Sequence, residues 1–294
     1  MFKHNHQFVA MGGPCAIYFW HHSEQADDIK RTLEQEVRRL ELKFSRFKAS
    51  SLVSQINRGE HNGSDLDDET TALLNYAQQC FEISDGLFDI TVGSFREIWD
   101  FKSGKTPKES EILTVKDKVG WHKVGWNGRS VNLLKGTELD FGGLVKEFAA
   151  DRLVALLQEH RATGLVNLAG DIAVTGRQVE GQPWPISIVH PRAKGKVIAT
   201  VNLEGGAIAC SGDYERFMLI NGKRYHHLIN PLTGWPDTES LASVSVITQN
   251  CIMAGSITTI AMLKGERAKE WLDEIALPYL AIRKDSSIFG SIEV

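Results

Sequence analysis

The sequence predicts an α+β fold, with mixed or antiparallel sheets carrying packed helices, and three features support that expectation. Segments of period two, rich in β-branched and aromatic residues, alternate irregularly with segments of helical period. Several strands follow one another with no helix between them, which argues against a doubly wound parallel sheet. No internal repeat, low-complexity block or linker divides the chain, and 294 residues at 42% hydrophobic can bury a sizeable core. Residues 1–294 therefore read as one domain, with 103–126 a polar, turn-rich, insertion-like segment.

The first element is a strand pair over 8–20, interrupted at Met11-Gly-Gly-Pro14 and resuming as Cys15-Ala-Ile-Tyr-Phe-Trp20. Over 24–44, Ile29, Leu33, Val37, Leu40 and Phe44 recur at helical spacing with charges between them, the mark of an amphipathic helix. Phe44-Ser-Arg-Phe47 and Ser51-Leu-Val-Ser-Gln-Ile-Asn57 follow. Phe47 offers either a stacking face for a planar ligand or a core aromatic at a helix end. A second amphipathic helix spans 68–84 and stops at Asp85-Gly86. In Phe88-Asp-Ile-Thr-Val-Gly93, Asp89 and Thr91 are placed to cap a following helix.

Two short strands are expected at 130–134 and 138–141, and Leu139-Asp-Phe-Gly-Gly-Leu-Val-Lys-Glu-Phe-Ala-Ala-Asp151 opens a helix running to about residue 157. Gly142 and Gly143 at that turn would let a phosphate approach free helix N–H groups, although tight strand–helix packing asks for the same residues. In Gly164-Leu-Val-Asn-Leu-Ala-Gly-Asp-Ile172, Asn167 and Asp171 sit in an apolar strand and require hydrogen bonds, from a nucleotide or from a turn. Trp184-Pro-Ile-Ser-Ile-Val-His-Pro191 is a strand ending at His190, a candidate nucleotide contact or a surface-loop histidine.

The densest stretch comes next. Ala209-Cys-Ser-Gly-Asp-Tyr-Glu-Arg-Phe217 presents Ser211, Gly212, Asp213 and Arg216 on a turn, and Tyr225-His-His-Leu-Ile-Asn-Pro-Leu-Thr-Gly234 adds two histidines before a second turn. So many donors, acceptors and titratable groups point to chemistry; an edge strand ending in ordinary turns is the alternative. A strand at 243–248, a small-residue helix at 252–262, an amphipathic helix at 266–275 and a closing strand pair complete the chain.

Composition excludes several classes. The formal charge is −4 and the 33 Lys and Arg are scattered, so nucleic acid is not an expected partner. No stretch approaches the roughly 20 apolar residues of a membrane span, and residues 1–7 carry Lys and two His, so no membrane insertion and a cytoplasmic location are expected. Cys15, Cys80, Cys210 and Cys251 form no Cys-x-x-Cys pair and suggest neither zinc nor a disulfide framework.

Taken in order, these stretches resemble the FAD:protein FMN transferases of the ApbE family. The 209–217 and 225–234 segments are similar to its T-S-G-D-Y-E-R-F and H-x-I-D-P-x-T-G signatures, and Met11-Gly12 to its opening strand. Residues 88–93 resemble F-D-P-T-V-G, 139–151 resemble L-D-L-G-G-I-A-K-G-Y-A-V-D, and 167–172 resemble N-L-G-G-D-I. Residues 184–191 resemble W-x-I-x-I-x-x-P, and 254–261 resemble A-D-A-L-S-T-A-L.

The resemblance implies an ApbE-like fold and an enzyme that passes FMN from FAD to a Thr or Ser hydroxyl of a target flavoprotein acceptor, releasing AMP. It implies His227 as base or phosphate-binding group, with Lys146 and Arg216 as charge partners. FAD contacts fall to Met11, Phe47, Gly142, Gly143, Lys146, Asn167, Asp171, His190, Ser211, Gly212, Asp213 and His227. Mg²⁺ is implied on the Val145 carbonyl and the Thr259 hydroxyl, weakened because Gly255 stands where the family carries a metal-binding Asp. Other departures are Val145 and Glu147 for Ala and Gly, Cys210 for Thr, Ile90 for Pro, and Asn230 for an Asp whose carboxylate would orient His227 or help neutralise the site. FAD pyrophosphatase, with water as nucleophile, and a FAD-binding protein that has lost catalysis are the alternatives.

Overall fold

A computed structural model describes residues 1–193 and 195–293. Two long strands, β1 (Phe2–Ala10) and β2 (Gly13–His21), lead into α1 (Asp27–Phe44), α2 (Leu52–Asn57), α3 (Asp68–Ile83) and α4 (Glu109–Lys116). Short strands β3 (Gly125–Trp126) and β4 (Val131–Asn132) precede α5 (Val145–Glu159), then β5 (Thr163–Leu168), β6 (Asp171–Val174), β7 (Trp184–Val189), β8 (Val197–Leu203) and β9 (Gly206–Gly212). The chain ends with β10 (Phe217–Ile220), β11 (Lys223–His226), β12 (Leu241–Thr248), α6 (Cys251–Lys264), α7 (Ala268–Ile275), β13 (Tyr279–Arg283) and β14 (Ile288–Gly290).

Eight of the strands form one sheet in the order β1-β2-β5-β6-β9-β12-β13-β14, with every neighbouring pair antiparallel. Period two decides what each face carries. From β2, Cys15, Ile17 and Phe19 enter a core with Leu33 and Leu40 of α1, Leu153 and Leu157 of α5 and Ile260 of α6. Tyr18 and Trp20 point the other way, into a second core closed by Trp184, Ile186 and Ile188 of β7 and Ala199, Val201 and Leu203 of β8. The sheet is thus covered by helices on one face and by a separate hairpin on the other. Each fully buried large side chain contributes about 1.5–3 kcal/mol. At Gly164 a Cβ would come within 2.7 Å of the Tyr18 carbonyl and 2.8 Å of Phe19 Cβ, so glycine sets how closely β5 can pack.

Some boundaries differ from expectation. β1 starts at Phe2 because Lys3, Asn5 and Gln7 face outward while His4 is buried and stacks on Phe19 at 5.0 Å, so its inward face is not aliphatic. The 103–126 segment contains α4, whose Ile112 and Val115 join Phe95, Trp99, Met218 and Ile229 in a small core of their own. Asp89 and Thr91 cap no α-helix. Asp89 accepts from the Thr91 N–H and the Trp121 N–H, both at 2.8 Å, and Thr91 accepts from the Gly120 N–H at 2.7 Å, tying the turn to 120–121. The strand expected at 138–141 reduces to a single parallel bridge between Val92 and Glu138. The four cysteines are free, and no helix among the described residues is long and apolar enough to cross a membrane.

Candidate active site

Antiparallel register collects at one end of the sheet the Met11-Gly12 turn between β1 and β2, the Ala169-Gly170 turn between β5 and β6, and the Gly212-Asp213 exit from β9. The first two turns lock together. The Ala169 N–H donates to the Pro14 carbonyl at 3.0 Å, and a Cβ on Gly13 would lie 2.6 Å from Ala169 Cβ. Met11 and Ala169 both hold positive φ, 52° and 51°, a conformation that costs about 1 kcal/mol or more each. The Met11 N–H donates to Glu41 Oε1 at 2.8 Å, and Asn167 Oδ1 accepts from the Gly170 N–H at 2.9 Å.

Two helices meet the same end. On α5, Asp151 accepts the Cys251 and Ile252 N–H groups at 2.6 and 2.9 Å, so one helix caps the other. Four residues back on α5 is Glu147; four residues on along α6 is Gly255. The helices therefore run antiparallel, and a Cβ on Gly255 would lie 2.5 Å from Glu147 Cγ and 3.0 Å from its Oε1. Lys146 Nζ is 2.6 Å from Asp171 Oδ2. Asp171 Oδ2 is held by that ion pair, while Glu147 Oε2 has no hydrogen-bond partner. Burial, then Asp171, pushes the Glu147 carboxyl up to about 8. Burial works against the Lys146 charge, but Asp171 and Glu147 overcome it and raise the ammonium above its ordinary range.

A chain of hydroxyls joins β9 to α6. Ser211 Oγ is 2.9 Å from Thr258 Oγ1 and 3.4 Å from Thr259 Oγ1, and Thr258 donates to the Gly255 carbonyl at 2.9 Å. Nearby, the His227 N–H donates to the Arg216 carbonyl at 3.0 Å, and His227 Nδ1 faces the same oxygen at 3.3 Å. A carbonyl can only accept, which puts the proton on Nδ1 and leaves the Nε2 lone pair for a ligand. Burial, then the neighbouring His226 and Arg216, pulls the imidazole down to about 4, so it is neutral. Arg216 is exposed, and its Nη2 lies 3.0 Å from where a Cβ on Gly12 would stand. Lys146, Asp171, Ser211, Gly212, Arg216 and His227 thus come together beside the Met11 turn.

Other expected residues have different partners. His226 is 1% exposed, with Nε2 2.7 Å from the Asp237 carbonyl, a structural position. Asp213, expected to touch ligand, is 0% exposed and held by Arg192 in two bonds of 2.6 and 2.7 Å. His190 Nδ1 accepts the Arg192 N–H at 3.0 Å and closes the β7–β8 turn. Asn230 does not orient His227: its Oδ1 accepts the Leu232 and Thr233 N–H groups, closing the Pro-Leu-Thr-Gly turn as an Asp would. Phe47 is 70% exposed under the Arg46 guanidinium, whereas Phe44, at 4%, is the core aromatic. Arg46 pairs with Asp140 at 3.1 Å and so places Phe47 by the Gly142-Gly143 turn, after which α5 starts with no side-chain cap.

The ApbE family model matches residues 11–281. The chain belongs to the ApbE family. It is 28% identical over 270 residues to the FAD:protein FMN transferase of Haemophilus influenzae, covering 86% of this chain and 78% of that protein. It is 28% identical over 310 residues to that of Escherichia coli K12, covering 97% and 87%. The crystal structure of the ApbE protein of Thermotoga maritima superposes with a TM-score of 0.91 at 28% identity, covering 99% and 97%. The flavin transferase ApbE of Vibrio cholerae has a TM-score of 0.85 at 22% identity and shows the shared fold alone. The expected ApbE-like α+β fold is the fold observed.

Within this ApbE frame the two departures on α5 and α6 are one feature. Sequence reading counted an acid lost at Gly255 and a glycine lost at Glu147; side by side, the second fills the space left by the first. No group of three or more His, Cys, Asp or Glu gathers as a metal cluster among the described residues. The oxygens of Glu147, Thr259 and the Val145 carbonyl are nevertheless hard donors suited to Mg²⁺, and Glu147 Oε2 is an unsatisfied one. Asp151 and Thr258 have no role legible in the sequence. Their signal was present as the four-residue spacings 147/151 and 251/255, but it has meaning only once the helices are known to face each other.

Proposed function

We propose that this chain is a FAD:protein FMN transferase, moving FMN from FAD to a Thr or Ser hydroxyl of an acceptor flavoprotein with release of AMP. The observation that carries the reading is the His227 imidazole, whose Nδ1 is taken by the Arg216 carbonyl and whose Nε2 lone pair is left for a ligand, with burial and the nearby Arg216 and Lys146 charges favouring its neutral form. The acceptor hydroxyl attacks the FMN phosphorus, its proton passes to His227 Nε2, and the bond from that phosphorus to the bridging oxygen breaks as AMP leaves. Lys146 and Arg216 offset charge on the phosphoryl oxygens. The Gly142 N–H is taken by Asp140 at 2.9 Å, but the uncapped first turn of α5 offers N–H groups to the pyrophosphate, and Phe47 offers a face to the isoalloxazine. Mg²⁺, held by Val145, Thr259 and the groups beside them, would neutralise pyrophosphate charge when bound. Relatives bearing the transferase name support the same reading.

The test is incubation with FAD, Mg²⁺ and an acceptor flavoprotein. Covalent flavin on the acceptor with one AMP released per transfer is the expected result. Free FMN plus AMP without covalent flavin would make the protein a pyrophosphatase, and unchanged FAD would make it a binding protein.

A further inference from the structure

Positions 147 and 255 exchange an acid and a glycine between two facing helices. Gly255 contributes no side chain, and the volume its Cβ would take lies 2.5 Å from Glu147 Cγ and 3.0 Å from both Cδ and Oε1. A carboxylate rooted on α5 therefore occupies the place of one rooted on α6. It is enclosed, with Glu147 6% exposed and its Oε2 without a hydrogen-bond partner. Beside it Asp171 is 2% exposed, with Oδ2 held by an ion pair. The one cation paired in this cluster is Lys146, 2.6 Å from Asp171.

Charge and chemistry then restrict what the cluster takes. Asp171 is matched by the Lys146 ammonium, so the second enclosed carboxyl, Glu147, ionises at low cost only when a further positive species joins it. The donors on the facing elements are hard oxygens: the carboxyl groups of Glu147 and Asp171 and, one helical turn along α6 from Gly255, the Thr258 and Thr259 hydroxyls linked to Ser211. That donor set suits a hard divalent cation. An apolar or amide side chain at 147 would fill the gap beside Gly255 equally well without the penalty, so filling space does not account for an acid.

We propose that Glu147 is the carboxylate ligand of a divalent-cation site in this chain, supplying from α5 what Gly255 omits from α6. The proposal rests on the transferase reading for the role of the cation, but its test does not. Mn²⁺ is titrated into the full chain with and without FAD and followed by electron paramagnetic resonance, for wild type, Glu147→Gln, Glu147→Gly and the exchange Glu147→Gly/Gly255→Asp. Glu147→Gln keeps the shape and removes the charge; it should weaken Mn²⁺ binding by about tenfold or more, as should Glu147→Gly. The exchange should restore affinity to within about threefold of wild type, since it returns one carboxylate to the same space. If Glu147→Gln does not fold by circular dichroism, comparison of Glu147→Gly with the exchange decides the matter. Wild-type protein that binds no Mn²⁺, Glu147→Gln that binds as wild type does, or an exchange that stays as weak as Glu147→Gly would each overturn the proposal. Mn²⁺ loss in the variants with no covalent flavin formed by wild type would leave the site standing and defeat the transferase reading. Transfer by wild type with unchanged Mn²⁺ affinity in the variants would do the reverse.

Discussion

Asp151→Ala isolates the contact that sets α5 against α6. The carboxylate accepts two N–H groups of the first turn of α6, at 2.6 and 2.9 Å, while Asn250 independently caps that helix by accepting the Met253 N–H at 3.1 Å. Removing Asp151 therefore leaves α6 its start but strips its clamp. Bonds to a charged group contribute about 1.5–3 kcal/mol each, and an acid at a helix N-terminus about 0.3–1 kcal/mol more. Burial raises the Asp151 carboxyl despite those two bonds, so the desolvation cost takes back part of the gain. The net loss should be about 2–4 kcal/mol. With an unfolding entropy of about 2.1 cal/mol/K per residue, this chain shifts by about 3–6 °C. Asp151→Asn keeps an acceptor oxygen and escapes the penalty on the buried charge, so it should cost under about 1 kcal/mol. Scanning calorimetry on the ligand-free variants measures both. A melting temperature for Asp151→Ala within 1 °C of wild type, or an Asn variant as damaged as the Ala variant, would refute this account of the clamp.

Other substitutions separate site from scaffold. His227→Ala should lower FMN transfer about 10²-fold while FAD still binds, whereas His226→Ala should lower the melting temperature and leave turnover of the folded protein near wild type. Equal effects on turnover would assign the requirement to the strand rather than to one imidazole. Because the His227 pKa lies below its ordinary value, the base form is present above about 4 and is lost as pH falls through it. The acid limb of kcat/KM should accordingly fall near 4, and a limb near 6.5 that belongs to His227 would contradict that environment. Phe47→Ala should leave the melting temperature unchanged, because the ring is 70% exposed, and should weaken FAD binding about three- to tenfold by fluorescence titration. Unchanged affinity would end the stacking assignment.

How legible the fold was depended on how each element buries its residues. The inward positions of α1 are Ile29, Leu33, Val37, Leu40 and Phe44, the same five that helical spacing picks out, because a long helix on a sheet must turn one stripe inward. β12 and the closing strand pair were also plain, although β12 and β13 are buried on both faces. β1 was clipped because its inward face includes His4 and its outward face is polar to Phe2. α4 was missed because eight residues with two buried side chains carry too little periodicity to stand out from a polar segment. The strand expected near 138–141 had strand-like letters but no partner strand to pair with.

At the site, local motifs identified the turns correctly but not what each polar side chain is used for. Asp213 and His190 sit in the segments expected, yet the Asp213 carboxylate and the His190 Nδ1 are taken up by Arg192. Two kinds of departure show why letters alone misjudge function. Asn for Asp at 230 reads as a lost charge, but the side chain closes a turn in which either residue accepts the same N–H groups. Gly255 and Glu147 looked like two separate losses more than a hundred positions apart. Because Asp151 fixes the two helices antiparallel with Cys251 beside it, one helical turn along each brings 147 against 255, and the two losses become one relocated carboxylate. Whether a substitution removes a function or moves it is therefore decided by where the side chain points. Glu147 points into the gap at Gly255 with an oxygen still unpaired.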